Sequence, residues 1–391
     1  MSTQETTAVV LAAGEGRRLE PLTNRRPKPM LPVVNRPLLE HVVEAIAAAG
    51  IEHIVLVVGY QRDRIQTHFG DGDDWDVDIT YAIQEKQLGT AHALSQAEPH
   101  VDGDFLVLNG DQIIEPSVVE AVREGLFTDD STAMLAATRS SQPSIYGVVE
   151  LDGERVVDIV EKPHDSPSQI VNAGIYGFRE GVFDALDRTD PAPDGERKLT
   201  DTLRILLDDG TVRPIRYDGR WLDVSQLWDL LSVTDQLLET EGGHVDGQVA
   251  PGVRVSDSTL VAETASVGAN AVVGNGTTIA ANARVGPNAT VERSVVFPDA
   301  TVGAGAVVRD CIVGANATVG ANVTASGGDA TVVVDGTVYE DVTLGGVVGD
   351  NASVGGATVF EPGVVIGDSV DIAPGVTAGG KIPDDATVRR G

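Results

Sequence analysis

One cysteine, Cys311, stands among 391 residues. An intrachain disulfide and a cysteine metal cluster are therefore excluded, and an isolated cysteine among apolar neighbours reads as a small buried hydrophobe. Lysine is scarce too: Lys28, Lys86, Lys162, Lys198 and Lys381 are five of 28 basic residues, set against 59 acids for a formal net charge of -31. Such a surface disfavours nucleic acid and anionic membrane, so neither is expected as a partner. Acidic, lysine-poor and still ordered, the chain has the composition of an extreme halophile's protein, in which salt screens the self-repulsion. An acidic protein from an ordinary cytoplasm is the other reading. Histidine is absent after His244, which removes the commonest neutral general base from the last third of the chain. No apolar run approaches the length of a membrane span, and Met1 to Thr7 has neither a basic nor an apolar leader region. The expectation is a soluble, cytoplasmic protein.

What is present divides in two. The length suits about two or three domains. Long apolar helical patterns and nearly all aromatics precede about Glu241, whereas Val249 to Gly391 is Val, Gly, Ala, Asn and Thr. The polar, glycine-rich stretch Glu239 to Gly252 reads as the seam. The expected division is 1–240, a linker at 241–252, and 253–391.

In the first part, the β-branched run Ala8 to Leu11 reads as a buried parallel strand. It feeds a turn holding Gly14 and Gly16, with Arg17, Arg18 and Lys28 following in one short basic segment. Glycines let backbone N–H groups approach anionic oxygens and cations neutralise them, so the segment reads as a cradle for a triphosphate. It fits neither GxGxxG with a ribose-binding acid nor the P-loop pattern. Beyond it, the pattern predicts a helix over Pro37 to Ala49 ended by Gly50, strands at Ile54 to Val58 and Val77 to Ile83, a helix over Gly89 to Ala97, and a strand at Phe105 to Leu108 running into Asp111. Alternation of this kind implies an α/β fold with a parallel sheet covered on both faces. Ligands of such sheets bind beyond the carboxyl ends of strands, where the cradle and Asp111 converge.

From Val255 the period changes to six. Val255, Val261, Val267, Val273, Ile279, Val285, Val291 and Phe297 fall in step, slips restart the series at Val302 and Val308 and at Val313 and Val319, and a last run holds Val342, Val348, Val354, Phe360, Ile366 and Ile372. A six-residue period this long predicts a parallel β-helix whose inward aliphatics stack from coil to coil. The stretch Ala321 to Asp341 is out of step and reads as a looser or decorated coil.

The segment LAAGEGRRLEPLTNRRPKP, Leu11 to Pro29, resembles the signature of the sugar-1-phosphate nucleotidyltransferases, close to GxGxRLxPLTxxxPKP, through Gly14, Gly16, Arg18, Leu19, Pro21, Leu22, Thr23, Pro27, Lys28 and Pro29. The resemblance implies a Rossmann-like, mostly parallel sheet followed by a left-handed β-helix. It implies nucleotide binding by Leu11, Ala13, Gly14, Gly16, Gln84, Gly89 and Thr90, with Gln84 and Gly89 reading a pyrimidine. Arg18, Lys28 and Asp111 take the catalytic roles, Asp111 and Asp223 hold Mg2+, and Gly147, Glu161, Lys162 and Asn172 meet the sugar phosphate. Tyr146, Thr200 and Asp201 match further segments more loosely. Arg17 stands where relatives carry a small residue, and VSQLWDLL after Asp223 replaces their usual Gly-Thr turn.

The implied reaction joins UTP or dTTP to a sugar 1-phosphate, glucose-1-phosphate or N-acetylglucosamine-1-phosphate, with release of pyrophosphate. Such β-helices commonly trimerise, so a homo-oligomer, with a trimer favoured, is expected. Two rivals stand beside this reading. One is a bifunctional enzyme that also acetylates an amino sugar phosphate from acetyl-CoA in the β-helix, against which the missing histidine argues. The other is a silent regulatory subunit, against which intact Arg18, Lys28, Asp111 and Asp223 argue.

Overall fold

The computed structural model describes residues 6–165 and 168–389. The chain forms two compact units: one holds 1–15, 27–30 and 38–222, and the other holds 16–26, 31–37 and 223–391.

The first unit is built on one sheet. Its strands are β1 (Thr7–Ala12), β2 (His53–Val58), β3 (Asp78–Ile83), β4 (Phe105–Asn109), β5 (Ala133–Arg139), β6 (Gly147–Asp152), β7 (Arg155–Glu161), β8 (Ile170–Phe178) and β9 (Val212–Arg216). They lie in the order β7-β6-β8-β4-β1-β2-β3, with β5 pairing β8 and β9. The run β3-β2-β1-β4 is parallel and Rossmann-like, β8 pairs antiparallel with β4, β5 and β6, and β9 runs parallel to β5. β1 is buried on both faces because its alternate residues point oppositely. Val10 joins a core with Leu39, Val42 and Ile46 of α1 (Leu38–Ala48), while Val9 joins another with Leu94 of α3 (Thr90–Ser95) and Leu203 of α6 (Leu199–Asp209). The first helix starts at Leu38, one residue later than the pattern predicts, since Pro37 pairs with Pro32 in a two-residue ribbon. α3 is shorter than Gly89 to Ala97, because Gly89 has φ 96 and residues Glu98–His100 tighten into a 3-10 turn.

Among the described residues, the second unit is a parallel β-helix of three sheets with eight, eight and seven strands. Its registers stack Val261 on Ile279, Val267 on Val285 and Val273 on Val291. The corners need a left-handed residue, which Asn adopts more readily than other non-glycine residues: Asn270, Asn282, Asn288, Asn316, Asn322 and Asn351 all lie near φ 57 to 59. Two sequence assignments are corrected. The inward residue after Val291 is Val296, which stacks on Ile279, so Phe297 is buried outside the ladder. Val342 belongs to an antiparallel arm of strands Asp329–Val334 and Thr337–Thr343, and Ala325 fills the coil position beforehand. The arm is the decoration that puts Ala321 to Asp341 out of step. Cys311 is buried in the stack with its Sγ donating to the Arg309 carbonyl at 3.0 Å, and burial pushes its thiol pKa up. Helix α7 (Leu227–Glu241), opened by a reciprocal cap between Gln226 and Asp229, packs in this unit.

Candidate active site

In the first unit, the carboxyl ends of β1 to β4 carry part of the predicted set, Leu11, Ala13, Gly14, Lys28, Gln84 and Asp111, whereas Gly16, Arg18 and Asp223 belong to the second unit. Leu11 pairs with Asn109, and the Gly110 N–H donates to the Leu11 carbonyl at 2.9 Å, so Ala13 and Gly14 emerge beside Gly110 and Asp111. A Cβ on Gly110 would lie 3.0 Å from the Leu11 carbonyl oxygen, whereas one on Gly14 would meet nothing within 4 Å. Gly110 thus lets the two strand ends close together, while Gly14 faces open space. Lys28 Nζ lies 2.6 Å from Asp111 Oδ2, with both side chains largely shielded. The pair brings one cation and one carboxylate to these ends.

On the β3 side, Gln84 is buried and its N–H donates to the Val58 carbonyl. Its side-chain Nε2 donates to the Gly89 carbonyl at 3.1 Å and meets His92 Nδ1 at 2.9 Å. An amide nitrogen can only donate, so Nδ1 accepts and the imidazole is neutral. Burial, and then the charge of Arg197, hold the His92 pKa below its ordinary value. Both Nε2 hydrogens are engaged, which leaves Oε1 as the acceptor of this side chain. Gly89 is fixed by crowding as well as by φ, since a Cβ there would sit 2.3 Å from the Arg197 carbonyl oxygen. Thr90 Oγ1 accepts from the Leu199 N–H at 2.9 Å and so ties this loop to α6. Sequence reasoning missed Gln87 and His92. Gln87 Nε2 donates to the Ala13 carbonyl at 2.9 Å, pinning the start of the cradle.

Gly147 and Glu161 are register partners on β6 and β7, and a Cβ on Gly147 would lie 3.3 Å from Glu161 Oε2 and 3.6 Å from Asn172 Cβ. The three are therefore neighbours. Lys162 takes φ 44, its N–H bonds the Tyr146 carbonyl, and its Nζ lies 3.6 Å from Glu161 Oε1. Asn172 donates to the Tyr176 hydroxyl at 2.7 Å and accepts from the Gly174 N–H at 2.9 Å. Burial raises the Tyr176 pKa, against the Asn172 hydrogen bond. Thr200 Oγ1 is buried without a hydrogen-bond partner, and its Cγ2 would lie 3.3 Å from a Cβ on Gly147.

In the second unit, Gly16 is left-handed at φ 75 and opens the 3-10 turn Arg17–Leu19, which exposes Arg18. Thr23 Oγ1 donates to the Gly16 carbonyl at 2.9 Å and fixes the turn. Asp223 ends the strand Trp221–Asp223 and accepts from Ser225 Oγ. Asp111 and Asp223 are partly exposed carboxylates, hard oxygen donors suited to a divalent cation that keeps water and phosphates in its shell. Among the described residues no three His, Cys, Asp or Glu side chains cluster to make a metal cage. Asp111 and Asp223 each offer a hard oxygen donor in its own unit, and no helix of the described residues is long and apolar enough to cross a membrane.

A family model described as nucleotidyl transferase matches residues 7–240 of this chain. The chain belongs to the nucleotidyl transferase family. A second model, described as the GMPPB C-terminal domain, matches residues 255–382. The bifunctional protein GlmU of Methanococcus maripaludis strain C7 is 37% identical over 66% of this chain and 61% of its own length. The GlmU of strain C5 is 32% identical over 93% of this chain and 92% of its own. A solved structure from Bacillus anthracis, provisionally named a glucose-1-phosphate thymidylyltransferase and holding sucrose, aligns with TM-score 0.55 at 26% identity, covering 58% of this chain and 93% of that one.

Proposed function

We propose that the protein makes a nucleotide-sugar and pyrophosphate from UTP or dTTP and a sugar 1-phosphate. A phosphate oxygen of the sugar attacks the α-phosphorus, that new O–P bond forms as the bond to the β-phosphate oxygen breaks, and pyrophosphate leaves with the electron pair. Two polyanions must be brought together, so alignment and charge neutralisation supply most of the catalysis. Leu11, Ala13, Gly14 and Gly16 carry the triphosphate on backbone groups, and Arg18 and Lys28 offset its charge. Gln84 and Gly89 read the pyrimidine, and Thr90 holds their loop. Gly147, Glu161, Lys162 and Asn172 take the sugar phosphate, the carboxylate and amide meeting hydroxyls and Lys162 the phosphate. The family uses a divalent metal, and Mg2+ held by Asp111 and Asp223 would supply further neutralisation of the phosphates.

The observation that carries this reading is the meeting of Lys28 and Asp111 at 2.6 Å beside the strand ends that also present Gly14. We further assign 1–240 to the transferase domain, 241–252 to a linker and 253–391 to an assembly domain that forms a cytoplasmic homo-oligomer, a trimer, in a salty interior. Acetyl transfer is set aside because residues 245–391 contain no histidine. The test is a matrix of UTP, dTTP, CTP, ATP and GTP against glucose-1-phosphate and N-acetylglucosamine-1-phosphate, at high potassium with Mg2+. Pyrophosphate release is expected only with the uracil and thymine nucleotides, and none with any pair would refute the reading.

A further inference from the structure

Three consecutive residues of the second unit's N-terminal loop sit on three consecutive coils of the β-helix in that unit. Asn24 Nδ2 donates to Asp384 Oδ2 at 3.2 Å, Arg25 Nε donates to Asp368 Oδ2 at 3.3 Å, and Arg26 Nη2 donates to Asp350 Oδ2. Each carboxylate divides its oxygens in the same way. Oδ1 of Asp350 accepts the Ala315 N–H, that of Asp368 accepts the Asp350 N–H, and that of Asp384 accepts the Asp368 N–H, each at 2.8 Å. One oxygen therefore stitches coil to coil, and the other takes the loop. Asp350 and Asp368 are buried, and stacking carboxylates out of water is unfavourable unless cations meet them. Burial and the neighbouring Asp350 and Asp384 charges raise the Asp368 pKa, with Arg25 opposing them. Arg26 also lies over the Phe297 ring at 4.9 Å from its centroid, which explains why an aromatic occupies the position just outside the inward ladder.

We propose that Asp350, Asp368 and Asp384 are positioning residues for the phosphate loop, which they hold through Arg26, Arg25 and Asn24. The loop is stiff enough to transmit the anchor. Asn24 N–H bonds the Pro21 carbonyl, Leu22 N–H bonds the Leu19 carbonyl, Thr23 bonds Gly16, and Leu19 and Leu22 are fully buried. Arg18 rides on this braced turn, so the β-helix sets where its guanidinium stands. The inference rests on the proposed role of Arg18 in nucleotidyl transfer.

Asp350→Asn and Asp368→Asn keep an Oδ1 for the coil N–H groups but turn an amide N–H2 toward the arginines, which breaks the anchor and spares the coil. Two quantities are read in the full-length protein. Hydrogen exchange of the amides of residues 16–26 should quicken about tenfold while the coil interior around Val302 and Val348 stays protected. The kcat/KM for UTP or dTTP should fall about 10- to 100-fold with the KM for the sugar 1-phosphate unchanged. If Asp350→Asn does not fold, Arg25→Gln with Asn24→Ala reads the same quantities. Unchanged exchange over 16–26 in a folded variant overturns the inference, and so does faster exchange with unaltered kinetics. Absence of pyrophosphate release from the wild type would instead count against the proposed function, and the exchange measurement would still decide the anchor.

Discussion

Replacing Gln84 by leucine tests how the base is read. The side chain is 4% exposed, and its Nε2 hydrogens are engaged by the Gly89 carbonyl and His92 Nδ1, so Oε1 is the group left to accept from a ligand. Uracil and thymine offer an N3–H donor, whereas cytosine offers a lone pair there, and two acceptors facing each other leave a bond unmade. An unmade buried hydrogen bond costs about 1–3 kcal/mol, so UTP should be preferred over CTP by about 10- to 100-fold in kcat/KM. A leucine side chain cannot accept. In Gln84→Leu the UTP value should fall about tenfold with CTP little changed, collapsing the ratio. Two deserted acceptors should also lower stability by about 2 kcal/mol. The assay is pyrophosphate release with glucose-1-phosphate, with urea melts alongside. A folded variant that retains the wild-type ratio would refute the reasoning.

The lowered His92 pKa makes a further expectation. The unfolded ring titrates near about 6.5 and the folded one below it, so the unfolded state binds more protons between those values and stability falls as pH drops through that window. Thermal melts from pH 8 to pH 5 should show this decline, and His92→Gln should remove it. Gly89→Ala places a Cβ 2.3 Å from the Arg197 carbonyl at φ 96, and should cost about 2 kcal/mol or more by denaturant titration. A loss below about 0.5 kcal/mol would mean the loop yields freely. In the β-helix, Ile366→Ala, fully buried in the ladder, should cost about 2–5 kcal/mol. Val342→Ala on the arm should cost under about 1 kcal/mol, and equal losses would restore Val342 to the coil.

The signature segment and the six-residue period were legible because each rests on local spacing. A short aliphatic, β-branched run leading into a glycine turn needs no distant partner to be read. The antiparallel strands β5 to β8 were less legible, since their apolar runs carry no marker of pairing direction. Phe297 misled because a coil shortened by one residue leaves two adjacent apolar side chains, Val296 and Phe297, and only the stacking on Ile279 selects between them. The anchoring role of Arg25 and Arg26 was not legible in the sequence, because their partners Asp368 and Asp350 lie 343 and 324 residues away. Gln87 and His92 went unassigned for a different reason: each acts on another site residue, Ala13 or Gln84, rather than through a motif of its own. The candidate groups themselves, from Gly14 to Asn172, were readable from the family resemblance, while their mutual geometry was not.

The proposed role of the charged pair Lys28 and Asp111 at the strand ends is nucleotidyl transfer. It is tested most directly by pyrophosphate release from the preferred pair of substrates in Asp111→Asn, with circular dichroism to establish the fold. A fall in kcat of about 100- to 1,000-fold is expected, the scale for losing a preorganised charge at a reacting phosphate. A folded Asp111→Asn protein within about threefold of wild-type turnover would contradict it.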